Sequence, residues 1–298
     1  FPAQIAHGAV LDLARKNVEL VFLPHITRMP HPNACRDSLL CPITQASPYF
    51  LAKAFPGMRV LSPVLDFTQG YERCTTLVEL VVRELGVPRA VAEPAWIAAV
   101  RAQLETERAM LELGRCALAA AVASGQPAVL LAGHSYNAFT PEASQSVSRK
   151  LASMGVVAIP ADCLAAADAG PTAWHFANQI MNTVALAKKH PNLFLLCVSN
   201  FSCTIDAFTH SMLATELGAK PYLLLEIDSA TADAGVQTRL EAFLDIVRNY
   251  RAAAVGRRRP FKPARLVGRG VVVCSNGQRV PLTDPRVKLY LPNFSSYH

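Results

Sequence analysis

The sequence predicts an α/β protein made of two lobes with mostly parallel sheets, joined by a long helix. The second half alternates short apolar runs (PAVLLAG, VVAIP, LFLLCVS and PYLLLEID) with helical patterns. Such alternation is typical of a parallel sheet covered by helices on both faces. One long helical pattern over residues 93–123 separates this half from a shorter first half. The predicted domains are residues 1–92 for the first lobe, 93–124 for the bridging helix, and 125–298 for the second lobe with a basic C-terminal extension.

The first half begins with a helical pattern in FPAQIAHGAVLDLARKN, followed by a short apolar run at residues 18–24 that is typical of a buried strand. The next stretch, HITRMPHPNACRDSLLCPITQASP, predicts a loop of more than 20 residues. A loop of that length inside a compact domain is usually functional. A strand and loop in MRVLSPVLDF and a helix over residues 71–85 complete the first half.

In the second half, the patterns predict helices that follow each strand in turn. Their expected bounds are residues 142–154, 172–189, 205–217 and 233–251. Near the end of the chain, VVVCSNGQRVPL predicts a hairpin or an added strand.

Composition limits the class of protein. The chain has 298 residues, of which 51% are hydrophobic and 17% charged, enough to bury a sizeable core. Its apolar runs are far shorter than the about 20 residues that a membrane-spanning helix needs, and no secretory signal pattern opens the chain. We therefore expect a cytoplasmic protein with no membrane partner.

The formal charge of +7 comes partly from residues 256–269, which hold six Lys or Arg and no acid. This segment has no aromatic residue besides Phe261, and it matches no nucleic-acid-binding module, so a solvated basic loop explains it better than a nucleic-acid site. A phosphate-bearing ligand or an acidic protein would be attracted by the same charge.

The eight cysteines form no CxxC pair, which argues against a zinc ribbon or a thioredoxin-type site. Cys116 and Cys197 are expected in the core. Cys203 follows the strand LFLLCVS, and Cys35 and Cys41 lie in the long loop after the first strand. Because ligands of open α/β sheets bind beyond the carboxyl ends of the strands, these thiols are candidates to meet there.

Three interpretations of Cys41 and Cys203 stay open on spacing alone. They are a thiol nucleophile assisted by a nearby histidine, cysteines buried at tight turns, or ligands of an iron-sulfur centre recruited from separate loops. A helix N-terminus after Cys203 would lower its thiol pKa.

Four other residues are candidates for binding a substrate at the same edge. Gly133, Tyr136 and Asn137 end a strand before a helix, where backbone amides can bind phosphate or carbonyl groups. Glu226, at the end of the next strand, is placed to take part in proton transfer.

Several motifs together resemble one superfamily along nearly the whole chain. They are FPAQIAHG, VELVFLPHI followed by CPITQASPYF, GHSYNAFTPE, LASMGVVAIPADCL, SNFSCTIDAF and PYLLLEIDSATADAGVQTRLEAFLD. The resemblance is to the 2-hydroxyacyl-CoA dehydratase and CoA-enzyme activase superfamily. It is closest to the dehydratase-like portion of large proteins in which that portion is fused to, or encoded with, an ATP-dependent activase.

The resemblance implies two flavodoxin-like lobes that hold an iron-sulfur cluster, of 4Fe-4S type, between them. Cys41 and Cys203 match ligand positions. A third ligand would precede Phe1, in which case the chain is a piece of a longer protein, and Cys35 is its best substitute within the chain. ATP would act only through the activase, whose hydrolysis step delivers a low-potential electron.

The function that follows from the resemblance is an iron-sulfur component of an ATP-dependent reductase or dehydratase system. It would act on a CoA ester or another small molecule, and a dimer is compatible with it. The alternative is a cluster-free scaffold or docking lobe for the activase. The chain departs from the family pattern at His134 and Ser135, where Arg-Pro is usual, and at Thr204 and Ile205, where Gly-Pro is usual.

Overall fold

A computed structural model of the protein describes residues 2–31, 38–165, 172–255, 263–268, 270–285 and 287–288. The chain divides into two compact units, Phe1–Tyr250 and Arg251–His298. The first unit contains the predicted first lobe, the bridging helix and the predicted second lobe as far as Tyr250, and the basic C-terminal extension falls in the second unit. The boundaries predicted for the separate lobes stay a prediction.

The first half contains two short parallel strand pairs flanked by helices. Its elements are α1 (Pro2–Arg15), β1 (Leu20–Phe22), β2 (His25–Arg28), α2 (Pro42–Ala54), β3 (Arg59–Leu61), β4 (Val64–Asp66), a 3-10 turn (Tyr71–Arg73) and α3 (Thr76–Leu85). β1 pairs with β3 and β2 pairs with β4, both in parallel. The strand β2 lies where the sequence predicted a loop. Two of its four residues, His25 and Arg28, are charged or titratable, so this strand does not appear as an apolar run in the sequence.

The predicted long helix is present as α4 (Arg89–Ser124), 36 residues in length. Near its start, Trp96 packs against a small core around Leu65 and Phe67 in the first half. Near its end, Ala121 belongs to the core of the second half. The helix therefore contributes side chains to the cores of both halves.

The second half is a parallel sheet covered on both faces. Its elements are β5 (Ala128–Gly133), α5 (Ser135–Ala138), α6 (Val147–Ser153), β6 (Val157–Pro160), a 3-10 turn (Ala161–Cys163), α7 (His175–Lys189), β7 (Leu193–Asn200), α8 (Thr204–Leu217), β8 (Tyr222–Ile227) and α9 (Asp233–Val255). The strands pair in the order β6-β5-β7-β8, all in parallel. This confirms the α/β fold class.

Alternation along the buried strands sends neighbouring side chains to opposite faces of this sheet. On β7, Phe194 and Leu196 pack in one core together with residues of α6 and α9. Leu195 and Cys197 pack in the other, together with residues of α7 and α8. Both faces are therefore closed to solvent, and ligands must approach the sheet from its edges or from the ends of its strands.

The second unit contains a three-stranded antiparallel sheet of β9 (Arg265–Val267), β10 (Val271–Val273) and β11 (Arg279–Pro281), in the order β11-β10-β9. The predicted hairpin is confirmed, since Val271 pairs with Pro281 and Val273 with Arg279. Of the basic segment at residues 256–269, only residues 263–268 are within the described part of the chain.

Candidate functional site

The carboxyl ends of β5 and β7 mark the point where the chain order of the sheet reverses. From β5 the chain passes to β6 on one side and then to β7 on the other. Open α/β sheets bind ligands in the crevice at such a switch point. The loops that follow β5 and β7 carry His134 and Cys203, so the site is built around these two positions.

Cys203 is the residue before the first turn of α8, and it is partly exposed. A turn at Phe201 and Ser202 brings it there, with Ser202 in the left-handed region at φ 67°. The Cys203 amide donates to the carbonyl of Asn200 at 3.2 Å, which closes the turn. The last residue of β7 therefore fixes where this thiol lies.

Cys41 occupies the equivalent place before α2 and is buried. The segment that leads to it is tied to the second half by its backbone. The Leu39 amide donates to the Ala173 carbonyl at 2.8 Å, and the His175 amide donates to the Leu39 carbonyl at 2.9 Å. In addition, the Leu40 amide donates to the Thr27 carbonyl at 3.0 Å. Cys41 is thus held where the two halves meet.

The structure places Cys41 and Cys203 near each other and near Tyr136. Their thiols act electrostatically on each other, and both act on the phenol of Tyr136, which is also in hydrogen-bonding contact with Cys41. Burial and the nearby thiols raise the pKa of Tyr136. Cys35, the substitute ligand expected from the sequence, lies outside the described residues.

A chain of hydrogen bonds runs from Tyr136 into the interior. The Tyr136 hydroxyl lies 3.0 Å from His134 Nδ1, and His134 Nε2 lies 3.0 Å from an Asp206 carboxylate oxygen. Ser199 donates its hydroxyl proton to the other carboxylate oxygen. The tautomer that satisfies both bonds of His134 carries its proton on Nε2 and accepts from the tyrosine at Nδ1.

The charges of this network are set by burial and by its own hydrogen bonds. Burial alone would raise the pKa of Asp206, but the hydrogen bonds from His134 and Ser199 and the positive charge of His210 hold it below its ordinary value. Burial, followed by the negative charge of Asp206, raises the pKa of Cys203 to about 11. The lowering of the Cys203 pKa expected from the helix N-terminus is therefore wrong, because desolvation of the thiolate outweighs it.

Gly133 and Asn137 lie at the same edge of the sheet, but they differ in what surrounds them. Gly133 has φ 144°, and a methyl group there would lie 2.3 Å from the Val198 carbonyl oxygen. Gly133 therefore allows β5 to approach β7 closely. Asn137 is 2% exposed, and both ends of its side-chain amide are without a hydrogen-bond partner among the described residues. Such a group is a candidate to meet a polar ligand.

Glu226 lies on β8 directly beside Ser199 of β7. Its charge acts on His210, which also interacts with Asp206. Glu226 further lines a pocket of about 370 Å³ together with Asp228 and Arg239. Glu226 is therefore adjacent to the site but does not contact the thiols in the described contacts.

The remaining cysteines separate into structural and exposed positions. Cys197 is fully buried in β7, as predicted, and Cys74 is buried in the first half. The expectation that Cys116 belongs to the core is wrong. This residue lies on the exposed side of α4, where its thiol contacts Glu112, whereas Gly114 and Ala121 on another face of the helix are buried.

Two site residues were not identified from the sequence. Asp206 and Ser199 both lie in the motif SNFSCTIDAF, but neither was a candidate for a site role. His134, Cys203 and Asp206 nevertheless place possible metal-ligand atoms within 4.8 Å of one another. In the sequence, Asp206 follows Cys203 by one helical turn, and this spacing could have indicated that the two side chains lie close together.

No helix in the described part of the chain is long and apolar enough to cross a membrane.

Comparison with known proteins gives one family and no individual relative. The family described as CoA enzyme activase uncharacterised domain (DUF2229) matches residues 1–164, more than half of the chain. The matched part includes Cys41, His134 and Tyr136 but ends before Cys203. No curated protein and no solved structure matches the chain. Because the matched part covers most of the chain, the protein belongs to the CoA enzyme activase uncharacterised domain family.

Proposed function

We propose that this protein is the iron-sulfur component of an ATP-dependent, low-potential electron-transfer system related to the 2-hydroxyacyl-CoA dehydratases. A CoA-enzyme activase would supply its electrons. The observation that carries the proposal is the convergence of Cys41 and Cys203, which come from distant loops and share Tyr136 at the switch point of the sheet.

The chemistry of these residues fits part of a cluster site. Cysteine thiolates hold iron-sulfur clusters, commonly from separate segments of a chain. Each cysteine directly precedes a helix of at least 13 residues, so the positive end of a helix dipole lies beside each of them. The two cysteines would supply two ligands, and binding would release the thiol proton that burial retains on Cys203.

The same environment is unfavourable for the competing nucleophile. A nucleophilic cysteine needs a thiolate near neutral pH and a histidine free to accept its proton. The pKa of Cys203 is instead raised to about 11, and both ring nitrogens of His134 already have partners. Cys197 lies 3.9 Å from His210 Nε2 but is fully buried. These features favour a ligand role over covalent catalysis.

The substrate part of the proposal rests on two features beside the thiols. Tyr136 lines a mainly apolar pocket of about 250 Å³ with Ile5, Ile43 and Phe50, which suits a small acyl group. The unpartnered amide of Asn137 suits a carbonyl or phosphate oxygen. We therefore propose a CoA ester as the substrate class. Gly133 would contribute through the backbone, and Glu226 through its charge.

The proposal predicts that the anaerobically purified protein is brown and contains iron and inorganic sulfide. Cys41→Ala and Cys203→Ala should each lower the iron content several-fold and weaken the visible absorbance, because each removes a ligand. Cys116→Ala is the matched control and should leave both unchanged, since this thiol is exposed on α4.

Iron and sulfide analysis with visible spectroscopy measures these outcomes. A folded but colourless and iron-free wild-type protein, still colourless after anaerobic reconstitution, would contradict the proposal. It would favour the cluster-free docking lobe for the activase.

A further inference from the structure

His134 is held by its neighbours in an orientation that metal-bound histidines commonly have. One ring nitrogen, Nε2, is 3.0 Å from the Asp206 carboxylate. That carboxylate is itself fixed by the Ser199 hydroxyl. The ring is 2% exposed and packs against Phe176 with centroids 4.7 Å apart. Histidines that bind metals almost always donate their second N–H to such a carboxylate, which fixes the tautomer and the ring direction.

The other nitrogen of His134, Nδ1, contacts the phenol of Tyr136. It lies 3.0 Å from the Tyr136 hydroxyl, and this hydroxyl is the group that interacts with both Cys41 and Cys203. The phenol therefore lies where the nitrogen and the two sulfurs converge. A metal at this place would exchange the hydrogen bond between Tyr136 and Nδ1 for a nitrogen-metal bond.

We propose that His134 is a nitrogen ligand of the metal centre that Cys41 and Cys203 hold, with Asp206 as its orienting carboxylate. The inference rests on the proposed function, and it identifies a mixed sulfur and nitrogen ligand set instead of one made only of cysteines.

His134, Cys203 and Asp206 already lie close enough together to share a metal ion. The possible ligand atoms of His134, Cys203 and Asp206 all lie within 4.8 Å of one another. In a tetrahedral site with bonds of about 2.0 to 2.3 Å, ligand atoms are roughly 3.3 to 3.8 Å apart. Separations of up to 4.8 Å are thus about 1 Å longer than those expected between the ligands of a bound metal.

A nitrogen ligand has an electronic consequence. Replacing a thiolate by an imidazole removes negative charge from the iron, and clusters with histidine ligands have higher reduction potentials than clusters held by cysteines alone. His134 would make the centre easier to reduce than an all-cysteine centre in the same place.

The test is made on the full chain, anaerobically reconstituted with iron and sulfide and then reduced. Pulsed EPR of protein labelled with 15N-histidine should show a nitrogen coupled directly to the iron spin, with the isotope shift expected of 15N. His134→Gln should abolish this coupling and shift the midpoint potential. His210→Gln, which alters another histidine near Asp206, should leave the coupling unchanged.

The outcomes separate this inference from the proposed function. A protein that binds iron and sulfide but shows no histidine nitrogen coupling would overturn the inference and leave the proposed function intact. The isotope measurement uses wild-type protein, so it stays decisive even if His134→Gln fails to fold.

If no cluster forms, titration of the same protein with Co2+ tests whether His134 is a metal ligand. The inference then requires a sulfur-to-cobalt charge-transfer band in the wild type and at least tenfold weaker Co2+ binding in His134→Gln. Binding that is equal in both proteins, or absent from the wild type, would overturn it.

Discussion

His175 is a half-buried imidazole at the contact between the two halves of the first unit. Its Nδ1 lies 3.1 Å from the Ser38 hydroxyl, and its ring packs against Phe176. Burial, with the charges of His31 and His134, lowers the pKa of His175 to about 4. Between about pH 6.5 and pH 4, the imidazole is therefore neutral in the folded protein but protonated in the unfolded chain.

This shift predicts a loss of stability in mild acid. Above about pH 6.5, the ordinary pKa of histidine, both states hold the neutral ring, and the contribution of His175 is fully present. Below this pH the unfolded chain binds a proton at His175, whereas the folded chain does not bind it until about pH 4. The free energy of unfolding should fall by up to about 3 kcal/mol over this interval.

Urea unfolding of wild type and His175→Gln at pH 7, 6, 5 and 4 measures this effect. The variant should be less stable at pH 7 but should lose less stability toward pH 4. Equal slopes of stability against pH in the two proteins would show that another group is responsible.

At the scale of secondary-structure elements, α4 approaches the turn at Ala161–Cys163 so closely that one residue has no room for a side chain. A methyl group on Gly114 would lie 1.7 Å from the Cys163 carbonyl oxygen. Contact at this distance is impossible, so helix and turn would have to separate. The glycine is thus required by packing, although glycine weakens helices in general.

Gly114→Ala is therefore expected to destabilise the protein by roughly 2 to 4 kcal/mol, the order found for overpacked or displaced core contacts. Gly235→Ala is the matched control. It lies in α9 with nothing within 4 Å of an added methyl group, so the higher helix propensity of alanine should stabilise it by up to about 1 kcal/mol. Chemical unfolding measures both, and a stabilised Gly114→Ala variant would contradict the described contact.

Local patterns predicted most of the regular elements, and their failures have identifiable causes. The four strands of the central sheet are strongly apolar and were predicted to within one residue at each end, whereas α4 begins four residues before the predicted helix. The strand β2 was missed because it is short and partly polar. Its partner β4 is far along the chain. Cys116 was misplaced because an Ala-rich helix face has the same composition whether or not another element covers it.

Charge is distributed unequally over the whole molecule. Arg251–His298 contains ten Lys or Arg and a single acid, Asp284, although the complete chain has a formal charge of only +7. Phe1–Tyr250 therefore has a small negative charge. The basic character inferred from the composition belongs to the second unit alone.

This distribution predicts how a shortened protein behaves. A chain ending at Val255, the last residue of α9, should keep the fold of the first unit, because the core of that unit uses residues before 251. Its formal charge becomes slightly negative, so it should no longer bind a cation-exchange column at pH 7. Its melting temperature should change by no more than a few degrees.

Circular dichroism and ion-exchange chromatography test this, with the full chain as the control. A shortened chain that loses its helical signal would show that the first unit depends on residues 256–298 for folding.

The candidate site was less predictable than the fold because its residues come from distant parts of the chain. The rule for the ends of parallel strands predicted that Cys203, Tyr136 and Asn137 lie at one edge of the sheet. The pairing of His134 with Asp206 joins residues 72 positions apart, and no periodicity encodes it. The direction of the Cys203 pKa shift was wrong because it depends on burial and on that same aspartate.

The two backbone hydrogen bonds of Leu39 with Ala173 and His175 have a consequence for changes in chain length. One residue added between Leu39 and Cys41 would reverse the direction of the sulfur, because successive side chains of extended backbone point to opposite sides.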